Sequence, residues 1–153
     1  KLLRNDSLTE EQDRSGTGKA RIKSVSFENN HSPFDFDSTV TLKIRISSFA
    51  FFKKLDFGIT IFDKIGNSVC YTDSRLEGKS IYNLKDKNHV DIMVSFKCIF
   101  TRGYYTICFV LSEGDVKHPE TVDYFQDAIG FEVLDNEHKI YASMKLESSI
   151  EII

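Results

Sequence analysis

The feature that most constrains this chain is a strict alternation of apolar and polar residues in Thr39-Val40-Thr41-Leu42-Lys43-Ile44-Arg45-Ile46-Ser47. In an extended strand successive side chains point to opposite faces. Val40, Leu42, Ile44 and Ile46 therefore line one face, and Thr41, Lys43, Arg45 and Ser47 the other; a helix would scatter both sets around its circumference. The same alternation places Val90, Ile92, Val94 and Phe96 inward in the stretch from His89, and Tyr105, Ile107, Phe109 and Leu111 inward in the stretch from Tyr104. Further strands are expected at about 20–28, 57–63, 68–74, 128–134 and 139–146. Asp63-Lys64-Ile65-Gly66-Asn67 reads as a hairpin turn, with Gly66 or Asn67 supplying the positive φ. The stretch 121–128 fits either a helical turn or an irregular strand. Many short strands with almost no helical periodicity and no internal repeat predict an all-β fold, an antiparallel β-sandwich of the immunoglobulin-like or jelly-roll kind. Seven to nine strands are expected, roughly the number such sandwiches use.

Residues 1–18 are polar and end in Ser15-Gly16-Thr17-Gly18. They read as a linker from an absent upstream domain, leaving 19–153 as the sandwich. The chain opens on Lys1 rather than Met and turns polar at once, which reads as a fragment of something longer without a secretory leader. No apolar run approaches the ~20 residues that span a bilayer. A formal charge of −3 with mixed signs argues against nucleic acid as a partner. Cys70, Cys98 and Cys108, an odd number with no paired spacing, suit buried thiols in a reducing compartment.

Reactive constellations are weak. Gly16-Thr17-Gly18-Lys19-Ala20 resembles half of a phosphate loop, but Asp13 stands where the first glycine is needed and Ala20 where a hydroxyl is needed. His31, His89, His118 and His138 lie far apart and form no metal-ligand pair. Asp35 and Asp37 offer oxygens to calcium or, more simply, help the chain turn. A glycosidase needs two carboxylates converging across a cleft, and no pair stands out. The expectation is a binding module with no cofactor and no metal, not an enzyme.

A more specific signal lies in the order of several short marks. Gly16-x-Gly18-x-Ala20-x-Ile22-x-x-Val25 is followed by Gly58-Ile59-x-Ile61-x-Asp63-x-x-Gly66-Asn67-x-Val69 and by Thr72-Asp73-Ser74. Gly103-x-Tyr105-x-Ile107-x-Phe109 and Phe131-x-Val133 complete the series. This pattern, over about 16–134, resembles the C-terminal domain of Wzt, the nucleotide-binding subunit of ABC transporters that export O-antigen polysaccharide. The resemblance implies a sandwich that recognises the capped non-reducing end of a polysaccharide on the cytoplasmic face of the bacterial inner membrane. It also implies an upstream ATPase domain, a membrane-spanning transporter subunit and work in pairs. The family's usual Thr-Asn-Thr is Thr72-Asp73-Ser74 here, so no role passes to Asp73 by resemblance. Tyr105, two residues after Gly103, is placed to anchor the start of its strand through its hydroxyl, as a tyrosine corner does.

Alternation then sorts the outer faces. Strands near 39–47 and 89–97 would show Lys43, Arg45, Asp91, Ser95 and Lys97, a solvated charged face. Strands near 57–63, 68–74 and 104–111 would show Tyr104, Thr106, Cys108 and Val110, with Thr60 and Phe62 beside them. A weakly charged aromatic face calls for a cover, either sugar rings packed on the aromatics or a second protein surface. Tyr71, Asp73 and Arg75 fall at its edge, Asp73 suited to neutral sugar hydroxyls and Arg75 and Arg102 to an acidic terminus. The expected carbohydrate site is thus Tyr104, Thr106, Thr60, Tyr71, Asp73, Arg75 and Arg102. The competing expectation is a dimerisation sandwich with no sugar ligand. The tail at 139–153 alternates like an added strand, and a homodimer with that strand swapped is expected.

Overall fold

The computed structural model describes residues 14–28, 31–134, 144 and 149–151. All regular structure among them is strand: β1 (Arg14–Ser15), β2 (Ala20–Phe27), β3 (Thr39–Ser48), β4 (Phe52–Asp63), β5 (Ser68–Asp73), β6 (Ile81–Leu84), β7 (His89–Lys97), β8 (Gly103–Gly114) and β9 (Pro119–Val133). Two antiparallel sheets result. The larger runs β1-β9-β8-β4-β5, with β6 also paired to β4, and the smaller runs β2-β3-β7. No helix among the described residues is long and apolar enough to cross a membrane.

The alternating runs do what their pattern predicts. Val40, Leu42, Ile44 and Ile46 of β3 are fully buried, and Ile107, Phe109 and Leu111 of β8 face them from the larger sheet. Each such aliphatic side chain stabilises the fold by roughly 1.5–3 kcal/mol. At one end the core is aromatic. Phe131 lies 5.5 Å from the Tyr105 ring, 5.9 Å from Phe34 and 6.0 Å from Phe100, with Phe27 and Phe96 next to them. The Tyr105 hydroxyl donates to the Thr101 carbonyl at 2.8 Å, the anchor expected at the start of β8. Gly66, at φ +90°, makes the β4–β5 turn, which Asp63 closes by accepting from the Ile65 and Asn67 amides.

Several elements differ from the expectation. The ambiguous stretch 121–128 is strand, part of a β9 of 15 residues with register shifts at Ile107/Phe109 and Leu111/Ser112. Asp127, at φ +48°, marks the first irregularity. The fourth strand starts at Phe52 rather than near 57, and the four-residue β6 was not foreseen. Asp35 to Ser38 forms a turn in which Ser38 donates through its amide and hydroxyl to the Asp35 carbonyl. The tail strand at 139–146 lies outside the described residues except Met144, which bridges Phe100 of the same chain.

The polar lead-in is joined to the sandwich from Arg14 onward. Arg14 and Ser15 pair with Phe125 and Tyr124, and the Thr17 and Gly18 amides donate to Thr121 and Val122 carbonyls. Gly16 lacks a side chain because a Cβ there would collide with the Val122 backbone. Lys19 reaches Glu113 at 2.6 Å and Glu120 at 3.3 Å. The half phosphate loop is therefore a backbone clasp with an ion-paired lysine.

Candidate functional site

The outer face of the larger sheet is a floor of small residues between tyrosines. Register places Tyr71 beside Thr60 and Thr60 beside Cys108; in the next row it places Phe62 beside Thr106 and Thr106 beside Gly130. On the other side, Asp73, Gly58, Val110 and Tyr124 form a row across four strands. Neighbouring strands lie about 4.8 Å apart, so Tyr71 on β5 and Tyr124 on β9 stand roughly three strand widths apart.

Two glycines let the rings lean over the sheet. A Cβ on Gly130 would collide with the Tyr104 hydroxyl. One on Gly58 would meet Val110 at 3.0 Å and the Tyr71 ring at 3.5 Å. Tyr71 and Tyr104 keep 49% and 43% of their surface exposed, which leaves ring area for a ligand. Thr60 and Thr106 are half-buried, and Cys108 is buried in the floor, where its sulfur accepts from the Asp127 amide at 3.3 Å.

Asp73 organises the edge of this face. Its Oδ2 accepts from the Tyr71 hydroxyl at 2.5 Å and from Arg75 Nη2 at 2.8 Å, and its Oδ1 from the Arg75 and Leu76 amides at 2.8 Å each. Burial pushes its carboxyl up, but the bonds from Arg75, Tyr71 and Leu76 outweigh burial and hold it well below the usual carboxylate range. Both Asp73 oxygens are thus engaged within the chain and hold Tyr71, Arg75 and the following turn in place. The same pair balances the charge of Arg75. Burial raises the Tyr71 and Tyr124 phenols and the Cys108 thiol, so all three stay neutral near pH 7.

The structure thus gathers Tyr104, Thr106, Thr60 and Tyr71 on one face, with Asp73 and Arg75 at its rim. Arg102 is exposed on the loop before β8, beyond the rows that the others share. Tyr124, Gly58 and Gly130 were not anticipated. The opposite outer face matches the charged assignment: Arg45 grips Asp91 with two bonds of 2.7 Å, and Thr41 meets Ser95 at 2.9 Å. Among the described residues no group of three or more His, Cys, Asp or Glu gathers to hold a metal.

Comparison with known proteins decides the family. The family model described as the Wzt C-terminal domain matches residues 11–145. The chain belongs to the Wzt C-terminal domain family. A crystal structure of the C-terminal domain of Wzt superposes with a TM-score of 0.79 at 19% identity, covering 95% of this chain and 90% of that one. At that identity the likeness shows the fold, and it agrees with the two-sheet architecture of this Wzt C-terminal domain. A CARDB domain from Pyrococcus furiosus aligns with a TM-score of 0.44 at 8% identity, over 80% of this chain and 100% of that one. The search of curated proteins returned no match.

Proposed function

We propose that this domain is a non-catalytic carbohydrate-binding module that recognises the capped non-reducing end of an exported O-antigen polysaccharide. In this reading it hangs from the ATPase subunit of an ABC transporter, working in the cytoplasm beneath the membrane-spanning subunit. The observation that carries the reading is the frame of Tyr71, Tyr104 and Tyr124 around the floor of Thr60, Thr106 and Cys108. Sugar C–H faces pack on aromatic rings, while hydroxyls bond to threonines and phenols. With Arg75 balanced by Asp73, and with Asp127 and Glu132 exposed at the β9 side, the face suits a neutral glycan terminus. The site is open and shallow, and each sugar hydroxyl gives up water to bond, so per-site dissociation constants of roughly millimolar to micromolar are expected.

A homodimer fits the same reading. β7 is an edge strand whose inward residues Val90, Ile92, Val94 and Phe96 are only half-buried. Such an edge accepts another strand, and the tail of a second copy is the natural candidate. A dimer would raise apparent affinity when both sites reach glycan ends together.

The test is calorimetric titration with the source strain's polysaccharide. Tyr104→Ala is expected to weaken binding by about 1–2 kcal/mol through loss of stacking area. Gly130→Ala, which displaces the Tyr104 ring from its seat, should weaken binding in the same direction. Lys43→Ala on the smaller sheet should leave it unchanged. If Lys43→Ala weakens binding and the other two do not, the wrong face has been assigned. If no variant and no polymer binds, the dimerisation module is the better description.

A further inference from the structure

A second site is independent of the tyrosine face. At one end of the smaller sheet, a cleft of ≈ 260 Å³ is lined by Lys23, Ser47, Phe49, Lys87, Asn88 and His89. Its walls are fixed by backbone bonds. The Ser48 amide donates to the Asn88 carbonyl at 2.8 Å, the Lys87 amide to the Ser48 carbonyl at 3.0 Å, and the Phe49 amide to the Lys19 carbonyl at 2.8 Å.

Two backbone irregularities bring lysines to this cleft. Register between β2 and β3 slips from Ile22–Ile46 to Ser24–Arg45, so Lys23 is the extra residue of a β-bulge, a device that re-aims a side chain. Lys87 sits at φ +60°, in the left-handed region where glycine or asparagine is the ordinary occupant. The Lys23 ammonium lies 5.3 Å from the centre of the Phe49 ring, which is itself 53% exposed.

The lysine, serine and asparagine side chains of this cluster, like those of Lys64 and Lys79, are engaged with no described polar group. Elsewhere Arg14, Lys19, Arg21, Arg45, Lys54 and Arg75 are each paired with a carboxylate. The side chains of Lys23, Ser47, Lys87 and Asn88 have no hydrogen bond or ion pair with any described residue. No carboxylate lines the cleft, and the one in the next row, Asp91, is gripped by Arg45. Two lysines, a serine and an asparagine lining one cleft with no carboxylate among them suit a compact anion with several oxygens.

We propose that this cleft binds a phosphoryl group, with Phe49 packing against the organic body that carries it. Two sources share that chemistry: a soluble sugar phosphate and the headgroup of an anionic lipid. The volume suits one such group.

Amide NMR of the 153-residue chain at fixed ionic strength tests the assignment with inorganic phosphate, glucose 1-phosphate, and phosphatidylcholine vesicles with or without phosphatidylglycerol. Shifts centred on Ser47, Asn88 and His89 with the soluble phosphates are expected. Lys23→Gln and Lys87→Gly should each weaken the response at least several-fold, while Lys64→Gln in the distant β4–β5 turn should not. Lys87→Gly also relieves the left-handed backbone, so it should fold at least as well, and its lost binding would not reflect misfolding. A response only to phosphatidylglycerol vesicles, abolished by the same two variants, assigns the site to a lipid headgroup. Silence towards all probes, equal attachment to both kinds of vesicle, or equal loss in Lys64→Gln would overturn the proposal.

Discussion

Replacing Phe131 with alanine is expected to destabilise the domain by about 3–5 kcal/mol, the range for a large aromatic lost from a packed core. Phe131 is fully buried on β9 and is the ring that the others share. Tyr105 stacks on it at an interplanar angle of 23°, and Phe34 and Phe27 approach edge-on at 68° and 82°. These neighbours come from the loop before β3, from β2 and from β8, so collapse into the void would have to move both sheets at once. The cavity therefore stays largely open, and its lining loses dispersion contacts in addition to the transfer energy. For a domain of this size each kcal/mol lowers the melting temperature by roughly 2–4 °C, so a fall of about 10 °C is anticipated. Phe131→Leu keeps much of the volume and should lose clearly less. A fall of under ~3 °C for the alanine variant, scaled in the same way, would mean that the aromatic end does not hold the sheets together.

Asp123→Ala is expected to be as damaging, for an electrostatic reason. Asp123 is fully buried on β9 and accepts four hydrogen bonds. Arg14 reaches it at 2.5 and 3.2 Å, Arg21 at 2.6 Å, and the Ile22 amide at 2.9 Å. Both arginines are shielded, with 14% and 30% of their side chains exposed. Removing the carboxylate leaves two guanidinium groups near the core without a counter-charge and one buried amide without an acceptor. Breaking a buried ion pair from one side destabilises by about 3–5 kcal/mol. Urea unfolding should show this as a midpoint lowered by about 1–3 M, taking slopes usual for small domains. Adding Arg14→Met to Asp123→Ala should recover part of the loss, because the uncompensated charge is then reduced. Since Arg14 opens β1 and also lies 4.3 Å above the Phe125 ring, Asp123→Ala should also loosen β1 from the edge of the larger sheet.

The strands that the sequence revealed are those with one solvated and one buried face. β3 and β7 set polar side chains against water and apolar ones against the opposite sheet, and β8 sets tyrosine, threonine and small residues outward against an apolar inner row, so a period of two survives along their length. Where that asymmetry fails, the pattern fails. In β4 the adjacent Lys53 and Lys54 break the alternation, because Phe52 to Leu55 pair with the short β6 rather than with β8. β9 carries its own irregularity at Asp127, where Gln126 to Ala128 stand opposite Cys108 alone, and this insertion disguises one strand as two segments. β1 holds two residues whose attachment depends on Asp123, more than 100 positions away in the chain.

The candidate face was legible for the same reason and to the same limit. Tyr104, Thr106 and Thr60 follow from alternation along β8 and β4. Tyr124 lies in the stretch 121–128, which by sequence fits either a helical turn or an irregular strand, so alternation assigns it to no face. The roles of Gly58 and Gly130 depend on which ring lies above them, a consequence of cross-strand pairing. Asp73 has the chemistry of a sugar ligand, and its hold on Tyr71, Arg75 and the following turn shows only in the fold.

The central claim is that the outer face of the larger sheet holds the end of a glycan. The most direct measurement is an amide chemical-shift map of the chain titrated with an oligosaccharide that carries the non-reducing terminus of the source strain's polysaccharide. Shifts concentrated on Thr60, Tyr71, Tyr104, Thr106, Cys108 and Gly130 are predicted, weaker when the terminal cap is removed. Shifts confined to β2, β3 and β7, or none at saturating oligosaccharide, would contradict it.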